Sequence, residues 1–283
     1  MQTLKTQTLL GDIAFGEGPR WRDGRLYFSD MHSQRVLAVD MEGRTEVICV
    51  VPQDPSGLGW LPDGRMLVVS MRDRRLLCLE EDGSLREVAD LSEHATFHCN
   101  DMVVDKVGRA YVGNFGWDLH GEAEPRGANL VLVMPNGETR VVASDLGFPN
   151  GAILTEDGGT LILAETMAQR LSAFDVEEDG SLSARRDWAL CPGILPDGIC
   201  LDAEGGVWVA SPTRQACFRM IEGGEVTHTV EVETDAFACM LGGPDRRHLL
   251  ICTAGASEPE PCKANRDGRI EYVEVEVPGA GLP

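Results

Sequence analysis

Glu17, Asn100, Asn150 and Asp197 carry side-chain oxygens, and each stands seven or eight residues before a glycine: Gly24, Gly108, Gly158 and Gly205. Each of these glycines lies between two short apolar runs. Residues at one phase of a structural repeat occupy equivalent places in space. If the repeats close into a ring, the four side chains converge on its axis. Two carboxylates and two amides meeting at one point make a hard-cation site, because oxygen donors suit Ca²⁺, Mg²⁺ or Mn²⁺ and two negative ligands balance a divalent charge. Ca²⁺ is the first expectation; Zn²⁺ is a poorer match, since it favours His and Cys. Such a cation can polarise a carbonyl or phosphoryl oxygen, and a carboxylate beside it can act as general base.

The elements that must position these residues are visible as a repeat. Residues 17–51 hold four short apolar runs joined by tight turns at Asp23-Gly24, near His32-Ser33-Gln34, and at Glu42-Gly43. The first turn recurs at Asp63-Gly64, Val107-Gly108, Asp157-Gly158, Glu204-Gly205 and, degenerately, Asp245-Arg246. Glycine is favoured there because such turns need positive φ. The successive spacings are 40, 44, 50, 47 and 41 residues. A period of that size with four strands per unit predicts an all-β protein, a six-bladed β-propeller of antiparallel four-stranded blades. Residues 1–283 read as a single domain. The terminal run Arg269–Val277 and an N-terminal run over residues 2–8 are expected side by side in one blade, closing the ring and removing its open edges.

Phase separates chemistry from look-alikes. Asp63 and Asp197 both sit in Pro-Asp-Gly, but Asp63 is at turn phase and Asp197 eight residues ahead of its turn glycine. Asn150-Gly151 has hairpin composition, yet Asp157-Gly158 already supplies that repeat's turn. His98 lies two residues before Asn100 and, on a strand, points to the same side. The matching positions of repeats two and six hold Ser56 and Ala238, leaving open or apolar walls. In a meander the four candidates share a face with the turns between second and third strands: five short turns and one long loop, residues 115–128. That loop carries Trp117, Asp118 and His120 and reads as a lid, with Trp117 and Asp118 as substrate contacts.

Bulk properties exclude several classes. A net charge of −21 and a pI near 4.6 repel a phosphate backbone and an anionic membrane, so neither nucleic acid nor membrane is an expected partner. Nine cysteines, odd in number and without a CxxC pair, mostly sit inside apolar runs. They read as small buried hydrophobes in a reducing compartment. With no apolar signal region and no run of membrane-spanning length, a cytoplasmic location is expected. No Gly-x-Ser-x-Gly elbow, HExxH pair or phosphate-cradling glycine loop is present.

Several segments carry a family resemblance: Phe15-Gly-Glu17-Gly-Pro-Arg-Trp, Asn100-Asp-Met-Val-Val-Asp, Gly-Phe-Pro-Asn150-Gly, Pro-Asp197-Gly-Ile-Cys-Leu-Asp and Phe237-Ala-Cys-Met-Leu-Gly-Gly. In this order and spacing the chain resembles the gluconolactonase, senescence-marker-protein and luciferin-regenerating-enzyme family, from about residue 12 to residue 255. The resemblance implies a six-bladed propeller with one divalent metal in its central channel. It implies metal ligation by Glu17, Asn150 and Asp197, with Asn100 as ligand or substrate contact and Asp197 also as general base. In regucalcin-like members an Arg binds substrate hydroxyls two residues before the Asn; here that place is His98, as a substrate contact of different chemistry. The expected activity is metal-dependent opening of a small-molecule lactone. The alternatives are phosphotriester cleavage at the same metal and a non-catalytic Ca²⁺- or ligand-binding propeller.

Overall fold

The computed structural model describes residues 2–119, 121 and 123–281. Six antiparallel four-stranded meanders form a closed ring. Their inner strands are Gly16–Arg22, Pro55–Trp60, Cys99–Val104, Pro149–Leu154, Ile199–Leu201 and Asp235–Gly242. Each inner strand packs on the next, and the sixth packs on the first. The glycines at the first turns, Gly24, Gly64, Gly108, Gly158 and Gly205, all hold positive φ. In blade six Arg246 takes that role at φ 53°.

The period of two along each strand explains why the blade sequences are continuously apolar. In blade one, Leu26, Phe28, Leu37 and Val39 pack into the core shared with blade six. Their neighbours Tyr27, Val36 and Ala38 pack into the core shared with blade two. A strand buried on both faces has no polar side to alternate with.

The ring closes as expected, by an N-terminal and a C-terminal strand side by side in one blade, but the N-terminal strand has different bounds. The outer strand of blade six is Gln7–Ile13, antiparallel to Gly268–Glu274. Residues 2–5 instead run parallel to Val226–Glu231 and add a fifth strand to blade five. The closing strand is hidden in the sequence because it is bulged: its register shifts after Leu10, and Asp12 sits at φ 58°. Gly11-Asp12 therefore looks like a turn, although Ile13 beyond it is fully buried. The expected count of five short turns and one long loop also needs correction. Besides residues 115–128, the connection over 255–267 is long and folds a short helix, Pro259–Asn265. Its Ser-Glu-Pro-Glu-Pro start reads as a chain breaker, but proline is well suited to the first turn of a helix.

The C-terminal tail crosses the opposite mouth. Gly279 N–H donates to Arg246 O, Ala280 N–H to Leu201 O, and Ala203 N–H to Pro278 O. Ala280 and Gly281, with Arg20, Val103, Ile199 and Met240, line a space there of about 10 Å³. That is roughly the room of one water molecule. All nine cysteines are buried and none forms a disulfide. Among the described residues no helix is long and apolar enough to cross a membrane.

Glycine follows three of the candidate residues and sets how closely the inner strands approach. A Cβ on Gly151 would lie 2.6 Å from Ile199 N, and one on Gly198 2.5 Å from Ala238 Cβ. A Cβ on Gly18 would lie 2.7 Å from Ser56 O. Asn150-Gly151 is thus strand rather than hairpin, and its glycine is there for interblade contact. Gly151→Ala is expected to destabilise the protein by about 3 kcal/mol, because the obstructing atoms are backbone and cannot give way. A urea titration checks it: the midpoint should fall with an unchanged slope.

Candidate functional site

Glu17, Asn100, Asn150 and Asp197 all line one cavity of about 300 Å³, at the mouth away from the C-terminal tail. They come from the start of the inner strands of blades one, three and four and from the residue pair ahead of blade five's. All four side chains are buried. Four residues at one phase of the repeat thus meet at the floor of one cavity.

Hydrogen bonds orient this floor. Gly18 N–H donates to Glu17 Oε2 at 2.8 Å. Thr166 Oγ1 donates to Pro196 O at 2.7 Å and so must accept from Asn150 Nδ2, at 3.2 Å. That fixes the Asn150 amide, and its Oδ1 is buried without a partner among the described residues. Asp197 Oδ1 is buried and unpartnered in the same way. Asn100 Nδ2 donates to Pro149 O at 3.3 Å.

Beneath the floor lies an ion pair not singled out from the sequence. Arg20 Nη2 contacts Asp101 Oδ1 at 2.8 Å, and both side chains are buried. The same nitrogen donates to Met102 O at 2.6 Å. Pairing across 81 residues leaves no local sequence signal beyond an Asp directly after Asn100.

The electrostatics follow from burial. Burial pushes the Glu17 carboxyl well above its usual range, and the negative fields of Asp197 and Asp101 add to this. Burial likewise raises Asp197, with Asp101 adding and the Asn150 amide and Gly198 N–H opposing. Three carboxylates (Glu17, Asp101, Asp197) against one guanidinium (Arg20) leave two negative charges unbalanced when all are ionised. Among the described residues no three His, Cys, Asp or Glu side chains converge on one point. The donor set is instead two carboxylates plus amide oxygens, and its orphaned buried oxygens are what a hard divalent cation would satisfy.

The remaining candidates sit above the floor. His98 is half-buried in the wall, stacked on Phe97 at 4.0 Å and edge-on to Phe115. Burial holds its imidazole below the usual range, with Arg72 adding and Asp118 opposing, so the ring is neutral at pH 7. Trp117 is buried behind the cavity wall, edge-on to Phe148 at 5.6 Å. Asp118 is half-buried and within electrostatic reach of His98. Neither is among the side chains lining the cavity; from the same loop Phe115 and Leu119 are. His120 lies outside the described residues. Ser56 is buried behind the floor, and Phe237, next to Ala238, forms the apolar wall of blade six.

Fold and site together define a six-bladed propeller with one polar, oxygen-rich floor under a cavity at one mouth of its axis. Residues 15–255 match the SMP-30/Gluconolactonase/LRE-like region, and the chain belongs to that family. It is similar to the pentonolactonase XacC of Haloferax volcanii, 29% identical over 279 residues, covering 95% of this chain and 92% of that one. It is also similar to the 6-deoxy-6-sulfogluconolactonase of Pseudomonas putida, 27% identical, with 95% and 94% covered. The fold superposes on a calcium-binding protein, regucalcin, from Agrobacterium tumefaciens with a TM-score of 0.83 at 20% identity, covering 100% of this chain and 98% of that one.

Proposed function

We propose that this protein is a metal-dependent lactonase, with residues 1–283 acting as one domain. The observation that carries the reading is the buried floor. Asp197 Oδ1 and Asn150 Oδ1 have no partner there among the described residues, beside a second desolvated carboxylate, Glu17. Family relatives named as lactonases support the reaction class. Glu17, Asn150 and Asp197 would hold the cation, with Asn100 as fourth oxygen donor on the substrate side. Ca²⁺ suits this set best; Mg²⁺ and Mn²⁺ share its oxygen preference. When bound, a divalent cation supplies Lewis-acid polarisation of an ester carbonyl.

The chain's own residues do the rest. Asp197 accepts a proton from the attacking water as the new C–O bond forms at the lactone carbonyl. The same proton passes to the ring oxygen as the ring C–O bond breaks, giving a hydroxy acid. Burial raises the proton affinity of Asp197, which suits a base that must return its proton within one turnover. His98, neutral and in the wall, is positioned to exchange a hydrogen bond with the substrate. Buried, unpaired thiols fit a reducing, cytoplasmic setting.

The test is acid release from a lactone panel in the presence of Ca²⁺, Mg²⁺, Mn²⁺ or Zn²⁺, followed with a pH indicator. At least one lactone should open well above its spontaneous rate, and elemental analysis should find one divalent ion per chain that Glu17→Ala loses. If no lactone opens with any metal, the activity is refuted. Undiminished metal in Glu17→Ala removes Glu17 from the ligand set.

A further inference from the structure

We infer that the substrate of this site is a lactone bearing an apolar alkyl or aryl substituent, not a polyhydroxylated sugar lactone; this rests on the lactonase reading above. The argument concerns the walls rather than the floor. All six connections between second and third strands place an apolar side chain on the cavity: Met31, Met71, Phe115, Met167, Pro212 and Pro259. Two aromatic pairs add to them. Phe15 and Phe237 meet edge-on at 4.7 Å at the junction of blades six and one. Phe115 and Phe148 stack at 4.8 Å at the junction of blades three and four. In a six-bladed ring those junctions face each other, so the cavity above the floor is a slot between aromatic walls.

Several polar groups on the walls are already engaged by the protein, although His32 Nδ1 is buried without a hydrogen bond among the described residues. His32 Nε2 bonds to Ser257 O at 3.0 Å. Arg72 Nε contacts Asp54 Oδ2 at 2.8 Å. Thr166 Oγ1 is held between Asn150 and Pro196. His98 differs from these: among the described residues its ring contacts are with Phe97 and Phe115. Hydroxyls of a sugar lactone would exchange water for carbon along most of the slot, and an unmade hydrogen bond is costly. A substituent of methylenes gains from the same burial.

The experiment is a homologous series of γ-lactones with unbranched alkyl substituents, compared with glucono-δ-lactone, at saturating Ca²⁺. kcat/KM should rise about fourfold per added methylene, or about two orders of magnitude over four. Glucono-δ-lactone should lie at least about tenfold below the longer alkyl lactones. Phe148 holds φ 63°, so Phe148→Gly removes a wall ring without straining the backbone. It should flatten the chain-length dependence, and Met167→Gln at the exposed rim should flatten it in part. A preference for glucono-δ-lactone with no chain-length effect overturns the inference and leaves the lactonase reading standing. If no lactone opens, calorimetric binding of the ring-opened 4-hydroxyalkanoates decides. Affinity that grows with chain length, with a negative heat-capacity change, upholds the apolar slot while lactonase activity fails. Length-independent binding or none overturns the slot.

Discussion

Under the proposed mechanism, Asp197→Asn is expected to lower kcat for lactone opening by about 10³-fold at saturating Ca²⁺, and at the same time to raise the melting midpoint of the metal-free protein. The first effect is the loss of a general base, whose removal typically costs 10²–10⁴-fold. The second follows from burial. Asp197 has lost its water, its Oδ1 has no partner among the described residues, and Asp101 adds a repulsive field. An amide of the same shape carries none of that charge. With Ca²⁺ the order should invert, because the carboxylate then has a counter-charge and the amide has less to offer it. Turnover measured beside calorimetric midpoints, with chelator and with Ca²⁺, checks both halves. A fall in kcat below tenfold removes Asp197 as the base. A lower metal-free midpoint in the variant contradicts the desolvation argument.

Under the proposed reading, Ca²⁺ should stabilise the protein by an amount that grows with pH. In the metal-free protein Glu17 and Asp197 hold protons more tightly than they would unfolded, with burial as the leading cause for both. A raised folded pKa stabilises fully below the ordinary carboxylate range, and that stability is lost as pH rises through the folded pKa. Above that range the ionised pair repels itself across the axis, which is where a divalent cation gains most. At a hundred times its dissociation constant a ligand contributes about 2.7 kcal/mol, and a chain of this size shifts about 2 °C or more per kcal/mol. The Ca²⁺-dependent rise should therefore be about 5 °C or more near pH 8 and vanish near pH 4, where protons occupy the same oxygens. Subtracting the chelator curve cancels oppositely shifted groups such as Glu165, which Arg170, Ser172 and Arg185 hold below its usual range despite burial. A difference that is flat with pH, or larger in acid, rejects the carboxylate pair as the cation's seat.

Much of this is legible in the chain itself. The turn glycines betray the repeat because positive φ is a backbone demand that few side chains meet. The repeat in turn separates buried Asp197 from Asp63, whose carboxylate is half exposed at a turn and pairs with Arg65. What escaped depends on distance or on turn geometry. Arg20 and Asp101 meet only once blade one lies near blade three. The bulge at Gly11-Asp12 disguises the closing strand. Trp117 looked like a substrate contact because it is large and on the right loop; whether such a ring faces the cavity or packs behind Phe148 is decided by the loop's path. Apolar residues at Met31, Met71 and Met167 carry no period of their own, so the slot they build appears only when the six connections are seen around one axis.

The tail formed by Pro278 to Gly281 changes how such a ring can be used. A propeller open at both ends is a pipe, and traffic can flow through it. With the tail hydrogen-bonded across its far end, from Arg246 to Leu201, this one is closer to a cup. Whatever enters over the rim must leave over the rim, and the floor cannot be refilled until it has been emptied. Under the proposed reaction, the residues around the mouth handle the departing hydroxy acid as well as the arriving lactone, so a change at the rim alters both.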